Sequence, residues 1–251
     1  AKEIIIITFD IFVLTLLKIN TCKMPKNQIC QRVEALRQFM EKHGLDAFVF
    51  PSSDPHNGEY VPSHWKTREW ISGFNGSAGT AVVTRGRAAL WTDSRYFLAA
   101  EEQLQETPFA LMRERIPGTP SVAEWLSEEI GTGGRVGVDG WVFSIAEEHA
   151  LREELAFHGL DLVLAEDPAE TLWEGRPAIP QSPVCLHPIA YAGKSAADKI
   201  KDLRERLLAR HVEATLVCKL DEVAWLANIR GTDVHCCPLV VAYMWITQER
   251  A

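Results

Sequence analysis

The chain lacks the marks of nucleic-acid binders, membrane spans and disulfide scaffolds. It has no basic run, and 26 Lys and Arg stand against 34 Asp and Glu, for a net charge of −8. That balance argues against nucleic acid or an anionic membrane as partner. Cysteine is sparse, with six residues at 22, 30, 185, 218, 236 and 237 and no CxxC pair. The thiols therefore read as reduced, in a cytoplasmic setting. His235-Cys236-Cys237 is the one cluster that resembles metal ligands. It has no second pair at finger spacing and reads as chance or core packing. No GxGxxG occurs, and no Lys-Ser/Thr follows a glycine cluster, so a nucleotide cradle is disfavoured. The longest apolar run, Ile4–Leu17, is broken by Asp10 and too short for a hydrocarbon layer of roughly 30 Å.

What is present centres on residues 65–97. Gly73, Gly76 and Gly79 fall between bulky Trp70, Ile71 and Phe74 and the apolar run Ala81-Val82-Val83. Glycines so placed mark backbone that turns sharply or approaches another surface. Thr80–Thr84 and Ala88–Thr92 then read as a hairpin about Arg85-Gly86-Arg87.

Around this stretch helices and short strands alternate. Val33, Leu36, Phe39 and Met40 share a helical face that ends at His43-Gly44, and Leu45–Phe50 is a strand. Pro51–Ser63 is a polar connection carrying Asp54, His56, Glu59 and Tyr60, either lining a site or solvated. Ser94–Leu104 reads as helix, with Asp93 as its cap and Arg95 as the partner of Asp93. Capping boxes at Ser121/Glu124 and Ser144/Glu147 open two further helices. Strands are expected at Phe109–Met112, Arg135–Val138 and Leu160–Leu164. The pattern predicts an α/β fold, a mixed sheet covered by helices.

The organisation is expected to be a leader at 1–27, a first domain at 28–166, a linker at 167–193 and a second domain at 194–251. The leader reads either as a poor signal peptide or as upstream translated residues before a natural start at Met24, and the second reading is preferred. The linker holds five prolines and no apolar periodicity. Beyond it the chain repeats itself. Leu203–Val217 lines up with Leu36–Phe50, Trp225–Thr232 with Trp70–Ser77, and Ile246–Ala251 with Val83–Ala88. This is the signature of an internal duplication. The second copy stops inside its hairpin, so the sequence reads as a fragment cut within its second domain.

The motifs PSSDPHNGEY (51–60), WISGFNGSAGTAVVT (70–84), LWTDSRYFLAA (90–100) and LDEVAWLANIRGTDV (220–234) resemble the amino-terminal region of the Xaa-Pro aminopeptidases, the aminopeptidase P branch of the creatinase and pita-bread metallopeptidases. The resemblance covers about residues 28–251. Ser94 stands where that family commonly has Gly, and Cys237-Pro238 where it has Asn-Pro. It implies a creatinase-type, ribonuclease-H-like mixed sheet flanked by helices, followed by a partial second copy. It also implies a catalytic domain beyond residue 251, with two divalent metal ions, usually manganese, held by two Asp, one His and two Glu. This chain would then carry no catalytic or metal-binding residue and be inactive alone. The parent would be a cytoplasmic homodimer that removes the first residue from peptides with proline second.

The resemblance further implies that the first domain narrows access to the catalytic centre. His56, Glu59, Arg68 and Trp70 are the gating candidates. Arg68 has two readings, a two-pronged contact to a peptide carboxylate or a structural salt bridge, and the second is preferred. Two rival readings of the whole chain remain. One is a non-catalytic peptide-binding or oligomerisation module, the other a small-molecule hydrolase such as creatinase or prolidase.

Overall fold

Ile29, Val33, Leu36 and Met40 recur at three- and four-residue spacing, so one face of helix α1 (Lys26–Lys42) is apolar and buried. Gly44, at φ +65°, then turns the chain into strand β1 (Ala47–Phe50). The computed structural model describes residues 26–251. The leader expectation for 1–27 thus lies outside the described residues, except that Lys26 and Asn27 belong to α1.

Helix α2 (Thr67–Ser72) leads into the hairpin of β2 (Thr80–Thr84) and β3 (Ala88–Thr92). Helix α3 (Phe97–Gln103), β4 (Phe109–Arg113), α4 (Val122–Ile130), β5 (Arg135–Asp139), α5 (Ile145–Phe157) and β6 (Asp161–Ala165) follow. The strands form one sheet in the order β4-β3-β2-β1-β5-β6. Only β2 runs against its neighbours. The four residues of central β1 are all buried, as a strand covered on both faces requires. One face packs on α1 and α2, through Leu36, Met40 and Ile71; the other packs on α4 and α5, through Trp125, Leu126 and Leu155.

Both capping boxes form. Asp93 does not cap α3, which starts at Phe97 after Tyr96. The Tyr96 N–H bonds back to the Asp93 carbonyl at 3.0 Å, and this turn leaves the Asp93 carboxylate short of the helix end. The carboxylate instead accepts the Arg95 backbone N–H at 3.0 Å and its guanidinium at 2.9 and 2.7 Å. That hydrogen bonding holds the Asp93 carboxyl below its ordinary value.

The segment expected as a linker opens with folded structure. Helix α6 (Ala169–Leu172) buries Ala169 in the first core, and Trp173 stacks on Trp70 with ring centroids 5.6 Å apart. Arg176 pairs with Asp167 and Glu170, each at 2.8 Å. Next come β7 (Cys185–Leu186), α7 (Ile189–Ala192), α8 (Ala196–Ala209), β8 (Ala214–Val217), α9 (Leu220–Ala227), β9 (Ile229–Arg230) and β10 (Met244–Thr247). Strands β8 and β10 pair antiparallel, with Ala214 opposite Thr247 and Val217 opposite Met244. The corresponding residues of β1 and β2 pair in the same register, Ala47 opposite Thr84 and Phe50 opposite Ala81. The duplication read from the sequence is thus repeated in the strand pairing.

Candidate functional site

The polar loop after β1 is folded on itself and then clamped. Asp54 Oδ1 accepts the backbone N–H groups of His56 at 2.9 Å and Gly58 at 3.1 Å. A short acceptor side chain two residues upstream closes such a turn. The turn directs His56 into the interior between the two copies. Its Nδ1 donates to the Cys218 carbonyl at 2.9 Å, which fixes the tautomer. The ring stacks on Tyr243 at 4.3 Å, and Tyr243 Oη donates to the Pro55 carbonyl at 3.0 Å. Burial raises the Tyr243 phenol above its ordinary pKa, with Cys218 and Asp54 adding to the shift. His56 therefore joins the first copy to the second.

Arg68 is buried and spent on backbone. Its Nη1 donates to the Phe74 carbonyl at 2.7 Å and its Nη2 to the Gly76 carbonyl. The guanidinium lies 4.9 Å from the Phe74 ring centroid. Burial lowers its pKa to about 10. The preferred reading of Arg68 as an internal salt bridge is replaced by a carbonyl clasp, because the glycine-bent chain 73–79 exposes carbonyls that no strand partner takes. Gly76 and Gly79 belong to the same device. A Cβ on Gly76 would lie 2.3 Å from the Phe74 ring, and one on Gly79 would lie 2.7 Å from the Trp91 carbonyl.

Trp70 is interior as well. It lies under Trp173, with the Arg32 guanidinium 5.5 Å from its centroid, and its carbonyl accepts Arg32 Nη1 at 2.7 Å. Glu59 is exposed. It shares with Ser53, Lys66, Arg68, Ser77 and His235 a pocket of about 180 Å³ between the polar loop and the turn at 233–235. The structure thus brings Glu59 and Arg68 to one pocket, while His56 and Trp70 sit in the packing around it. Sequence reasoning missed Tyr243, Cys218 and Trp173. Cys218 acts through its carbonyl, for which no side-chain signal exists.

Among the described residues, no group of three or more His, Cys, Asp or Glu could hold a metal ion. Cys236 is an exposed turn residue at φ +59°, between the bridged Val234 and Cys237. The described residues therefore do not fit a five-ligand metal set. Among the same residues, no helix is long and apolar enough to cross a membrane.

Two matches to the Creatinase/Prolidase N-terminal domain lie in tandem, at residues 32–172 and 175–251. Aminopeptidase P2 of Arabidopsis thaliana is 38% identical over 226 residues, covering 88% of this chain and 32% of the relative. Aminopeptidase P1 of Lotus japonicus is 41% identical over 222 residues, covering 87% and 33%. The chain thus spans about a third of the length of the curated relatives it matches. Among solved structures, an X-prolyl aminopeptidase from Caenorhabditis elegans, described as a cytosolic enzyme with a di-nuclear active site, superimposes with a TM-score of 0.82 at 29% identity. The match covers 90% of this chain and 38% of that one.

Proposed function

The chain belongs to the creatinase/prolidase N-terminal domain family, and from that membership we propose that it is the amino-terminal portion of a cytoplasmic, homodimeric Xaa-Pro aminopeptidase. The parent hydrolyses the bond between a first residue and a proline at the second position. The observation that carries this reading is the match to aminopeptidase P through both copies, over 88% of this chain. Proposed bounds are 28–166 and 194–251 for the two domains, joined by 167–193. Two divalent metal ions, manganese by family habit, act in the catalytic part of the parent. Their chemistry there is to lower the pKa of a bound water and to stabilise the oxyanion.

Within this chain the proposed work is admission of substrate and contact between subunits. Glu59 is an exposed carboxylate of the pocket at the polar loop and meets the peptide. Arg68 holds the glycine loop that forms one wall, while His56 and Trp70 fix the surrounding packing. The roles differ because, of these four residues, Glu59 alone is exposed.

The test has two arms. The 251-residue chain is assayed on an X-Pro peptide with manganese and with a chelator, and no turnover is expected. Chelator-sensitive hydrolysis by this chain would overturn its assignment as non-catalytic. Reading the coding sequence past codon 251 is the second arm. A continuing frame with Asp, Asp, His, Glu and Glu at ligand spacing supports the enzyme, and an immediate stop codon supports the stand-alone module.

A further inference from the structure

A larger cleft adjoins the Glu59 pocket through Trp65, at the carboxyl ends of the neighbouring parallel strands β5 and β6. Its volume is about 1130 Å³. Open α/β sheets place ligands outside the carboxyl ends of their strands, because the loops there diverge and leave a crevice. Asp139 ends β5 and Trp141 follows it; Leu164, Ala165, Glu166 and Asp167 close β6. Tyr243 and Trp65 form the opposite wall.

Three observations define what fits. First, Asp139 is only 8% exposed. Its Oδ1 accepts the Trp141 backbone N–H at 2.9 Å, while its Oδ2 takes no hydrogen bond or ion pair from any described residue. Its second oxygen is thus left available to a donor that enters the cleft. Burial raises its pKa, with Asp167 and Glu170 adding to the shift and Arg176 opposing it.

Second, the charges facing the cleft are unbalanced. Asp139, Glu166, Asp167 and Glu170 stand against Arg176, with His56 and His64 also on the wall. Arg176 is already committed, to Asp167 and Glu170 at 2.8 Å and to the His64 carbonyl at 3.0 Å. Third, Trp141, two residues after Asp139 and on the same cleft, is 78% exposed and offers an indole face. A cleft that presents both a carboxylate and an open indole face suits an organic cation better than a metal ion.

We infer that this cleft binds an alkylammonium or guanidinium group, with the Asp139 carboxylate receiving the cation and the Trp141 indole covering its apolar stem. The ligand is a lysine or arginine side chain of a peptide, or a free polyamine. The inference does not rest on the peptidase reading, although Trp65 lines both the cleft and the Glu59 pocket and His56 lines the cleft.

Calorimetry on the 251-residue chain tests it, with N-acetyl-arginine amide as probe and N-acetyl-citrulline amide as the neutral isostere. Saturable binding of the arginine probe and none of the citrulline probe is expected. Asp139→Asn keeps an acceptor for the Trp141 N–H, so it should fold and bind at least about tenfold more weakly, a loss of the size expected when a buried charge pair loses one partner. Trp141→Leu should also weaken binding. A second pair of titrations separates the sources: spermidine preferred over an arginine-centred pentapeptide indicates a free amine, and the reverse indicates a peptide. Equal binding of arginine and citrulline probes, absence of saturable binding, or an Asp139→Asn protein that folds and binds like the parent chain would each overturn the inference.

Discussion

Trp70 and Trp225 hold the same place in two copies of one unit, yet the first is 2% exposed and the second 57%. Their immediate partners are alike. Arg32 Nη1 donates to the Trp70 carbonyl at 2.7 Å, and Lys199 Nζ donates to the Trp225 carbonyl at 2.8 Å. Each cation also lies over its indole, at 5.5 and 4.3 Å. Arg37 Nε reaches the Thr84 carbonyl at 3.1 Å, and Arg204 Nε reaches the Thr247 carbonyl at 2.7 Å. In both copies the threonine N–H closes the turn on an arginine carbonyl three residues on, at 2.8 Å.

The copies differ in what covers them. Trp173 lies on Trp70, and α4 with α5 covers the sheet face of Val49 and Val82, which are 3% and 0% exposed. The matching Leu216 and Trp245 are 50% and 58% exposed. Helix, strand and hairpin contacts are therefore set within the repeated segment. Burial of the outer sheet face depends on elements that follow it in the chain. Position 68 also diverges, since Val223 stands there in the second copy.

The largest test of this contrast is Arg68→Ala. It removes two charge-assisted bonds and leaves the Phe74 and Gly76 carbonyls unpaired, for an expected loss of about 3–5 kcal/mol in urea unfolding. Val223→Ala in the second copy should cost less, about 1–2 kcal/mol, since only a small apolar side chain is truncated. Equal losses would mean that the glycine loop does not depend on its clasp.

Next is Arg32→Met against Lys199→Met. The same bond and ring contact are removed, but only Arg32 faces an indole shielded from water. The first substitution should lower the melting temperature more than the second. The reverse order would show that burial of the tryptophan does not strengthen the pair. Limited proteolysis belongs beside it: 195–251 should be cut before 30–165, and earlier trimming of the first copy would break the comparison.

Asp139→Asn gives a pH test. The folded-state pKa of this carboxyl is raised, so the unfolded chain ionises first. The resulting cost is absent below the unfolded value, grows as pH rises from the unfolded to the folded value, and is full above the folded value. Thermal unfolding should thus show the variant matching the parent chain in acid and exceeding it at neutral pH. A constant difference across the range would remove Asp139 as the cause. The smallest effect is expected for Tyr243→Phe, which deletes the bond to Pro55 between the copies and should cost about 0.5–1.5 kcal/mol.

Much of the fold was legible because its signals are local. The capping boxes at Ser121 and Ser144, the stop at Gly44 and the hairpin about Gly86 each depend on a few adjacent residues. The site was less legible. Glu59 was found as a polar residue in a long loop, and it is exposed there. Arg68 was noticed for its charge, but carbonyls acquire partners through backbone geometry, which leaves no mark in side-chain identity. Asp93 misled for a related reason, since a one-turn delay in the start of α3 changes what its carboxylate meets. Asp139 and Trp141 gave no signal, because their meaning lies in the crevice that the diverging strand ends create.

The sequence by itself determined the repeated helix–strand–hairpin unit, since periodicity, caps and glycine positions act over short spans of chain, and its motifs carried the family resemblance. Only the tertiary structure decided that His56 joins the copies, that Arg68 serves carbonyls rather than carboxylates, and that Asp139 keeps an open oxygen in a cleft. Those outcomes depend on which distant groups packing brings within hydrogen-bond reach, and on how much water it removes from around them.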